Sequence, residues 1–535
     1  MLRTIREYVD VQAQERPDAV YLVAPEADLA LSFGGLRTAS RKLTSFLLNE
    51  GIQPGAKIAL LMHNGFQTCR LFVGAMYGGY CVTPLNLLAH PSQLEYVLEH
   101  SEASVVFVAP REVERLQAAL GKIPREVRMI VCDVDAGEFL PDVADDDDAP
   151  MPAVGEEDDA LMMYTSGTTG KPKGVVLANR SVIAGGQFVS AAHELGPDDR
   201  VMASLPLYHI NAQIVTATAP LVHGGSLVLP HRFGVSTFWE SVSQHRCTWI
   251  NLVPTMISYL LNAAEGKASM PDTGHIRFCR SASAPLPPAQ HAAFEARFCI
   301  GVIETMGLTE TAAPCFTNPL DPRKRKVGSP GQPFGNEAKI VDPAGVELPA
   351  GETGEILVRG PNVMKGYFKN PDETARTVSA DGWLRTGDLG HFDEDGFLFV
   401  TGRIKELIIK GGENIAPREI DEVLLDHPAV LEAAVVGIPD PLYGQDMMAC
   451  VVLKPDEHCT TEQLRAFCIR ELGPFKTPKI FRFLDELPRG PSGKIQRLKL
   501  LDAVAPADTS ATAAAGLPDG AEATSSARKA AGAYD

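Results

Sequence analysis

The sequence lacks any charge-free apolar run of about 18 residues, the least that a membrane-crossing helix needs, and Met1–Asp10 (MLRTIREYVD) has no apolar signal-peptide core. It also lacks a CxxC pair. The ten cysteines are scattered, which fits reduced, mostly buried thiols better than a disulfide frame or a zinc site. An excess of basic residues is missing too: the formal charge is −18, which argues against nucleic acid as the main partner but leaves room for a locally basic pocket. The final Ala-Tyr-Asp is no SKL-type peroxisomal address. Together these absences lead us to expect a cytoplasmic protein with neither nucleic acid nor membrane as partner, monomer and homodimer both remaining open.

What is present is a chain of 535 residues with 45% apolar content, enough for two or more domains with a sizeable core. Up to about residue 150, helical patterns alternate with short apolar runs. Ser40–Gly51 has helical spacing and a Gly stop, Lys57–Met62 reads as a strand, and Phe66–Tyr77 reads as a helix. Such alternation implies α/β layers. Asp145–Asp148, beside Pro150 and Pro152, read as a solvated linker rather than a metal site. From Val504 the composition turns to Ala, Ser, Thr, Gly and Asp, which predicts a disordered tail over 504–535.

The stretch Leu161–Asn179 (LMMYTSGTTGKPKGVVLAN) carries the most chemistry. Two apolar runs flank a loop, so it reads as strand, loop, strand. Gly167, Gly170 and Gly174 let a ligand approach the backbone; the hydroxyls of Thr165, Ser166, Thr168 and Thr169 can donate to oxyanions; Lys171 and Lys173 add charge. Such a loop suits a polyphosphate. It is not GxxxxGK[ST], because Pro172 follows Lys171. Instead YTSGTTGKPKGV resembles the phosphate loop of the adenylate-forming superfamily, which includes acyl-CoA synthetases, peptide-synthetase adenylation domains and luciferases.

Further stretches from about residue 10 to 500 resemble that superfamily in the expected order. Ala203–Gln213 (ASLPLYHINAQ) is similar to the segment that sets a histidine at the mouth of the acyl pocket, here His209, although a histidine beside apolar residues is ordinarily just packed. Asn211 and Gln213 hint at a polar substrate. Ile276–Leu286 (IRFCRSASAPL) resembles the strand and turn whose backbone holds adenine, around Ser283 and Ala284, and looks most like the oxalate-activating branch. Arg280 is thereby a candidate for an anionic substrate, whereas an Arg ending a strand is ordinarily a surface ion-pair partner.

Glu304–Glu310 (ETMGLTE) resembles the aromatic-G-x-T-E motif, which implies Thr309 on the α-phosphate and Glu310 on Mg²⁺. Met306 replaces the usual aromatic against adenine, and Thr305 would narrow the acyl pocket. Thr386-Gly387-Asp388 is similar to the TGD motif, with Asp388 on the ribose. Gly402–Leu407 resembles the hinge, with Arg403 reaching the ribose and Lys405 near the pivot. Gly411 and Gly412 stand where a loop approaches pantetheine. Lys494, in LPRGPSGKIQR, matches the catalytic lysine, and Pro417–Leu425 reads as a helix start.

The resemblance implies an α/β fold: a large multi-layer N-terminal domain over 1–401, with two α/β sheets and a small β-barrel-like subdomain, and a small mobile α+β domain over 402–503. It also implies ATP, Mg²⁺ and CoA, with Lys494, Thr309, Glu310 and His209 in catalytic roles. Asn211, Thr305 and Arg280 favour a short polar or anionic acid. A medium-chain fatty or aryl acid ligase and, ranked lower, an adenylation domain that loads a carrier protein are the alternatives within the superfamily, and a non-catalytic nucleotide-binding protein the alternative outside it. A mobile charge that acts in the transition state is worth much of the rate. Lys494→Ala is therefore expected to slow acid-dependent pyrophosphate release by several powers of ten; a rate within tenfold of the unaltered protein would remove that role.

Overall fold

The computed structural model describes residues 2–140, 150–165, 171–263, 272–489 and 495–502. Two compact units divide the chain: one comprises Met1–Phe233, Phe238–Thr386 and Gly390–Val400, and the other Gly234–Thr237, Gly387–Leu389 and Thr401–Asp535. The loop residues Ser166, Gly167, Thr168, Thr169 and Gly170, the aspartates 145–148, Lys494 and the Ala-rich tail lie outside the described residues.

The larger unit is layered α/β. A nine-stranded sheet runs, in spatial order, Gln332–Pro333, Ala313–Thr317, Val302–Leu308, Phe278–Ser281, Trp249–Leu252, Arg200–Met202, Ser226–Val228, Val20–Ala24 and Leu29–Ser32. Its interior is parallel and its edges antiparallel. A seven-stranded sheet has a parallel centre built on Lys57–Leu61, Cys81–Pro84 and Ala103–Val108. Next to that centre lies the antiparallel hairpin of Asp159–Thr165 and Lys173–Ala178. Helices Phe33–Asn49 and Phe66–Tyr77 bury their apolar faces in one cluster that draws on both sheets. Glu337–Val341 and Gly354–Arg359 pair antiparallel in a further sheet.

The smaller unit is α+β. Glu413–Ile415, Ile408–Lys410, Gly444–Leu453 and Val430–Asp440 form a sheet to which Ile480–Phe483 adds in parallel, covered by helices Pro417–Leu425 and Thr461–Lys476. No helix among the described residues is long and apolar enough to cross a membrane.

Local chemistry explains most of these boundaries. The helix expected over Ser40–Gly51 begins earlier, at Phe33, because the Ser32 hydroxyl accepts from the Gly35 N–H and caps it. Phe66–Tyr77 and Pro417–Leu425 have the bounds their spacing predicts, the latter with Pro at its first position. An unusual element is the π-helix Asn211–Thr218, a wide winding found mostly at functional positions.

Gly307 makes possible the reversal that follows Val302–Leu308. A Cβ there would stand 1.7 Å from the Ala313 carbonyl oxygen, so no side chain fits without moving backbone. Gly307→Ala is expected to cost roughly 2–4 kcal/mol of stability. Thermal unfolding checks it, and an unchanged melting temperature would mean that the reversal has room to relax.

Candidate active site

Strand register assembles the first cluster. Asn251 on Trp249–Leu252 and Arg280 on Phe278–Ser281 are paired neighbours in a parallel sheet, and Arg280 is paired with Ile303. Paired residues share a face, and so does Thr305, two residues beyond Ile303. From that face the Arg280 Nη1 donates to the Asn211 and Asn251 side-chain oxygens, both at 3.1 Å. Asn251 donates to Asn211 at 3.2 Å, and Asn211 donates to the Ser283 hydroxyl at 3.1 Å.

Arg280 is only 2% exposed, and among the described residues no carboxylate pairs with it. It is not the surface ion-pair partner that an Arg ending a strand usually is. Burial pulls its guanidinium down to about 9, so it keeps its charge at neutral pH. Its Nε has no hydrogen-bond partner. Arg280, Thr305 and His193 line one small cavity with the rings of Phe188, Phe316 and Phe334. His193 has no partner on either ring nitrogen, and burial pulls its imidazole down to about 3, so it is neutral. A fixed positive charge supported only by amides and hydroxyls is an arrangement that accepts an anion.

Ser283, at the turn leaving this strand, has φ +74°, a conformation uncommon outside glycine. Ala284 follows it, half-buried. Turns beyond the carboxyl ends of parallel strands are where α/β sheets bind ligands. Gln213 is turned away from this cluster and donates to the Leu207 carbonyl at 2.6 Å. The His209 ring lies edge-on to Tyr208, with centroids 4.6 Å apart.

A second cluster forms around the hairpin. Thr165 and Lys173 are paired at its open end, which fixes the two described flanks of the glycine-rich stretch. The Lys173 ammonium pairs with Glu373 and sits 4.9 Å from the centre of the Tyr367 ring. Tyr367 is held beside Val175 by strand pairing, and its hydroxyl donates to Glu310 Oε1 at 3.1 Å. Burial, then the Glu310 charge, pushes the Tyr367 phenol well above its usual range, so it remains a donor.

Thr309 and Glu310 occupy a single 3₁₀ turn. The Leu308 N–H donates to the Thr311 hydroxyl at 3.0 Å, and the Asn362 amide donates to the Thr311 carbonyl at 2.8 Å. Met306 is partly buried against the cluster of Cys315, Phe316 and Ile340. A single carboxylate such as that of Glu310 suits a hard divalent cation that takes its remaining ligands from phosphate and water. Among the described residues no three His, Cys, Asp or Glu side chains converge on a metal-sized point.

In the smaller unit the Arg403 Nε donates to Asp388 Oδ1 at 2.6 Å, and Asp388 is buried. Lys405 stands on the 3₁₀ turn Ile404–Glu406, whose Glu406 accepts from Arg497 at 3.2 Å. Gly411 and Gly412 have φ +59° and +88° in a tight hairpin turn, and the Gly411 N–H donates to the Tyr443 carbonyl at 2.9 Å. Lys410 is buried against Asp446 at 2.8 Å and lies over the Tyr443 and Phe475 rings. Asn251, Tyr367, Glu373, Tyr443 and Phe475 escape a reading of motifs. Each belongs to the sites only through register or a tertiary contact.

Residues 9–368 match the family model of AMP-binding enzymes, and 419–494 match that of the AMP-binding enzyme C-terminal domain. A sulfoacetate–CoA ligase of Cupriavidus necator is 53% identical over 93% of this chain and 97% of its own. An oxalate–CoA ligase of Arabidopsis thaliana is 35% identical over 86% and 90%. The crystal structure of ATP-bound MatB from Rhodopseudomonas palustris superposes with a TM-score of 0.86, at 29% identity, covering 94% of this chain and 99% of that one.

Replacing Asn251 by Leu would take one acceptor from a buried cation and one donor from Asn211. The expected loss is about 2–3 kcal/mol. Thermal unfolding measures it, and a loss within error would show that Arg280 draws little support from this amide.

Proposed function

The chain belongs to the AMP-binding enzymes, and from that membership we propose that it is an AMP-forming acyl-CoA ligase for a short acid carrying a second negative charge, of the sulfoacetate, oxalate or malonate kind. One observation carries the choice of acid: a fully buried Arg280 faces amide oxygens and a small cavity, with no carboxylate among the described residues to neutralise it. A fatty or aryl acid would leave that charge buried and uncompensated, at a cost of several kcal/mol. The sulfoacetate–CoA and oxalate–CoA ligases among the relatives support the same class.

A carboxylate is a poor acyl donor because its leaving group is oxide. In the proposed first step a carboxylate oxygen of the acid attacks the α-phosphorus of ATP, the bond to pyrophosphate breaks, and an acyl-adenylate forms. The task of the chain is to hold two anions together and offset their charge. Arg280, through Asn211 and Asn251, would anchor the remote anionic end of the acid and so point its reacting carboxylate at the nucleotide. His209 and Thr305 would bound the acid pocket.

Lys173, with Thr165 and the loop Ser166–Gly170, would take the β- and γ-phosphates. Thr309 would donate to the α-phosphate, and the backbone at Ser283 and Ala284, with Met306, would hold adenine. Glu310, steadied by Tyr367, would hold Mg²⁺, which lowers the charge of the polyphosphate. Asp388 and Arg403 would bind the ribose, and Lys494 would bridge carboxylate and phosphate. In the second step the CoA thiolate attacks the acyl carbonyl and the bond to AMP breaks. Gly411 and Gly412 would let the pantetheine arm pass, with Lys405 as the pivot of the exchange.

Pyrophosphate release over acetate, oxalate, malonate, sulfoacetate, octanoate and coumarate, each with and without CoA, tests the reading. Turnover is expected to need CoA and to peak with a short dianion. Arg280→Met is expected to raise KM for that dianion by roughly 100-fold while leaving acetate nearly unaffected. A maximum at octanoate or coumarate would discard the anionic acid, and silence throughout would discard the ligase.

A further inference from the structure

We infer that Glu373 is a resident counter-anion on Lys173, which the polyphosphate of ATP must displace, and that it thereby sets the affinity for ATP. The inference rests on the reading that Lys173 takes the β- and γ-phosphates. Lys173 and Glu373 form an ion pair whose side chains are only 14% and 23% exposed, so water screens it less than a surface pair. The pair joins residues 200 positions apart, from a sheet hairpin and from helix Pro371–Thr377. Asn370 caps that helix by accepting from the Glu373 N–H at 3.2 Å, which fixes where the carboxylate starts. The hydrogen bond from Lys173, and then its charge, hold the Glu373 carboxyl below its usual range, so the carboxylate is ionised at neutral pH.

Both partners have somewhere to go when the pair opens. Glu373 Oε2 already accepts from Arg376 Nε at 3.2 Å and lies 3.1 Å from its Nη2, so the carboxylate keeps a cation after Lys173 leaves. Arg376 is 71% exposed and free to follow it. Lys173 stays over the Tyr367 ring, whose hydroxyl is tied to Glu310. That ring gives the ammonium a fixed aromatic face while its anionic partner changes. A polyphosphate carries more charge than a carboxylate and wins the exchange, but it binds less tightly than to an unpaired lysine.

Calorimetric titration of Mg·ATP and of AMP, without acid or CoA, reads this directly. Glu373→Gln, and Glu373→Ala as a second variant, are expected to bind ATP roughly three- to tenfold tighter with AMP unchanged. Thermal unfolding confirms that both are folded. In a Lys173→Met background, itself weaker for ATP, Glu373→Gln is expected to change nothing. Equal tightening of AMP, or unchanged or weaker ATP binding while Lys173→Met still weakens it, would overturn the role of Glu373 and leave that of Lys173 standing. Unchanged ATP affinity in Lys173→Met would overturn the role of Lys173, and this inference with it.

Discussion

A cation withdrawn from water, with no anion beside it among the described residues, is the constraint around which the larger unit is arranged. Arg280 loses its hydration in the middle of a parallel sheet, and only neutral oxygens are returned to it. Such an arrangement persists only where the surrounding fold is stable enough to carry it, and the apolar cluster drawn from both sheets supplies that stability. The cost becomes useful when a ligand brings the missing charge, because the protein need not reorganise to receive it.

The two anion-handling centres solve different problems. Arg280 sits on a strand, locked by register and by the Asn211–Asn251–Ser283 chain, which suits the recognition of one small rigid group. Lys173 stands at the mouth of a hairpin with a carboxylate and an aromatic face to choose between, which suits a long ligand that arrives and leaves in each turnover. In the proposed reading one centre would select by being fixed, the other by exchanging partners. Rigid charge discriminates and exchangeable charge permits release.

Much of this was legible in the residues alone, wherever the information is local. The hairpin around the glycine-rich loop, the helices Phe66–Tyr77 and Pro417–Leu425, and the α/β alternation follow from periodicity, glycine and proline placement over a dozen residues. Arg280 was visible as a candidate, but its surroundings were not. Asn251 is an ordinary residue in an apolar run, and only the pairing of its strand with the next brings it to the guanidinium. Tyr367 and Glu373 lie far from the hairpin in sequence, Glu373 200 positions from Lys173, and meet it through a two-residue strand and a short helix. Gln213, which hinted at a polar substrate, donates to a nearby carbonyl through its Nε2, while its buried Oε1 has no hydrogen-bond partner.

The π-helix Asn211–Thr218 has a consequence for how such a pocket can diverge. Its winding is wider than that of an α-helix, so the segment holds an extra residue in the length it spans. Deleting one residue there would let it take α-helical spacing with the chain at both ends left in place, so the side chains inside the segment, Asn211 among them, would change the way they face. The pocket is thus one codon away from a different lining, reachable by a single in-frame deletion rather than by a succession of substitutions.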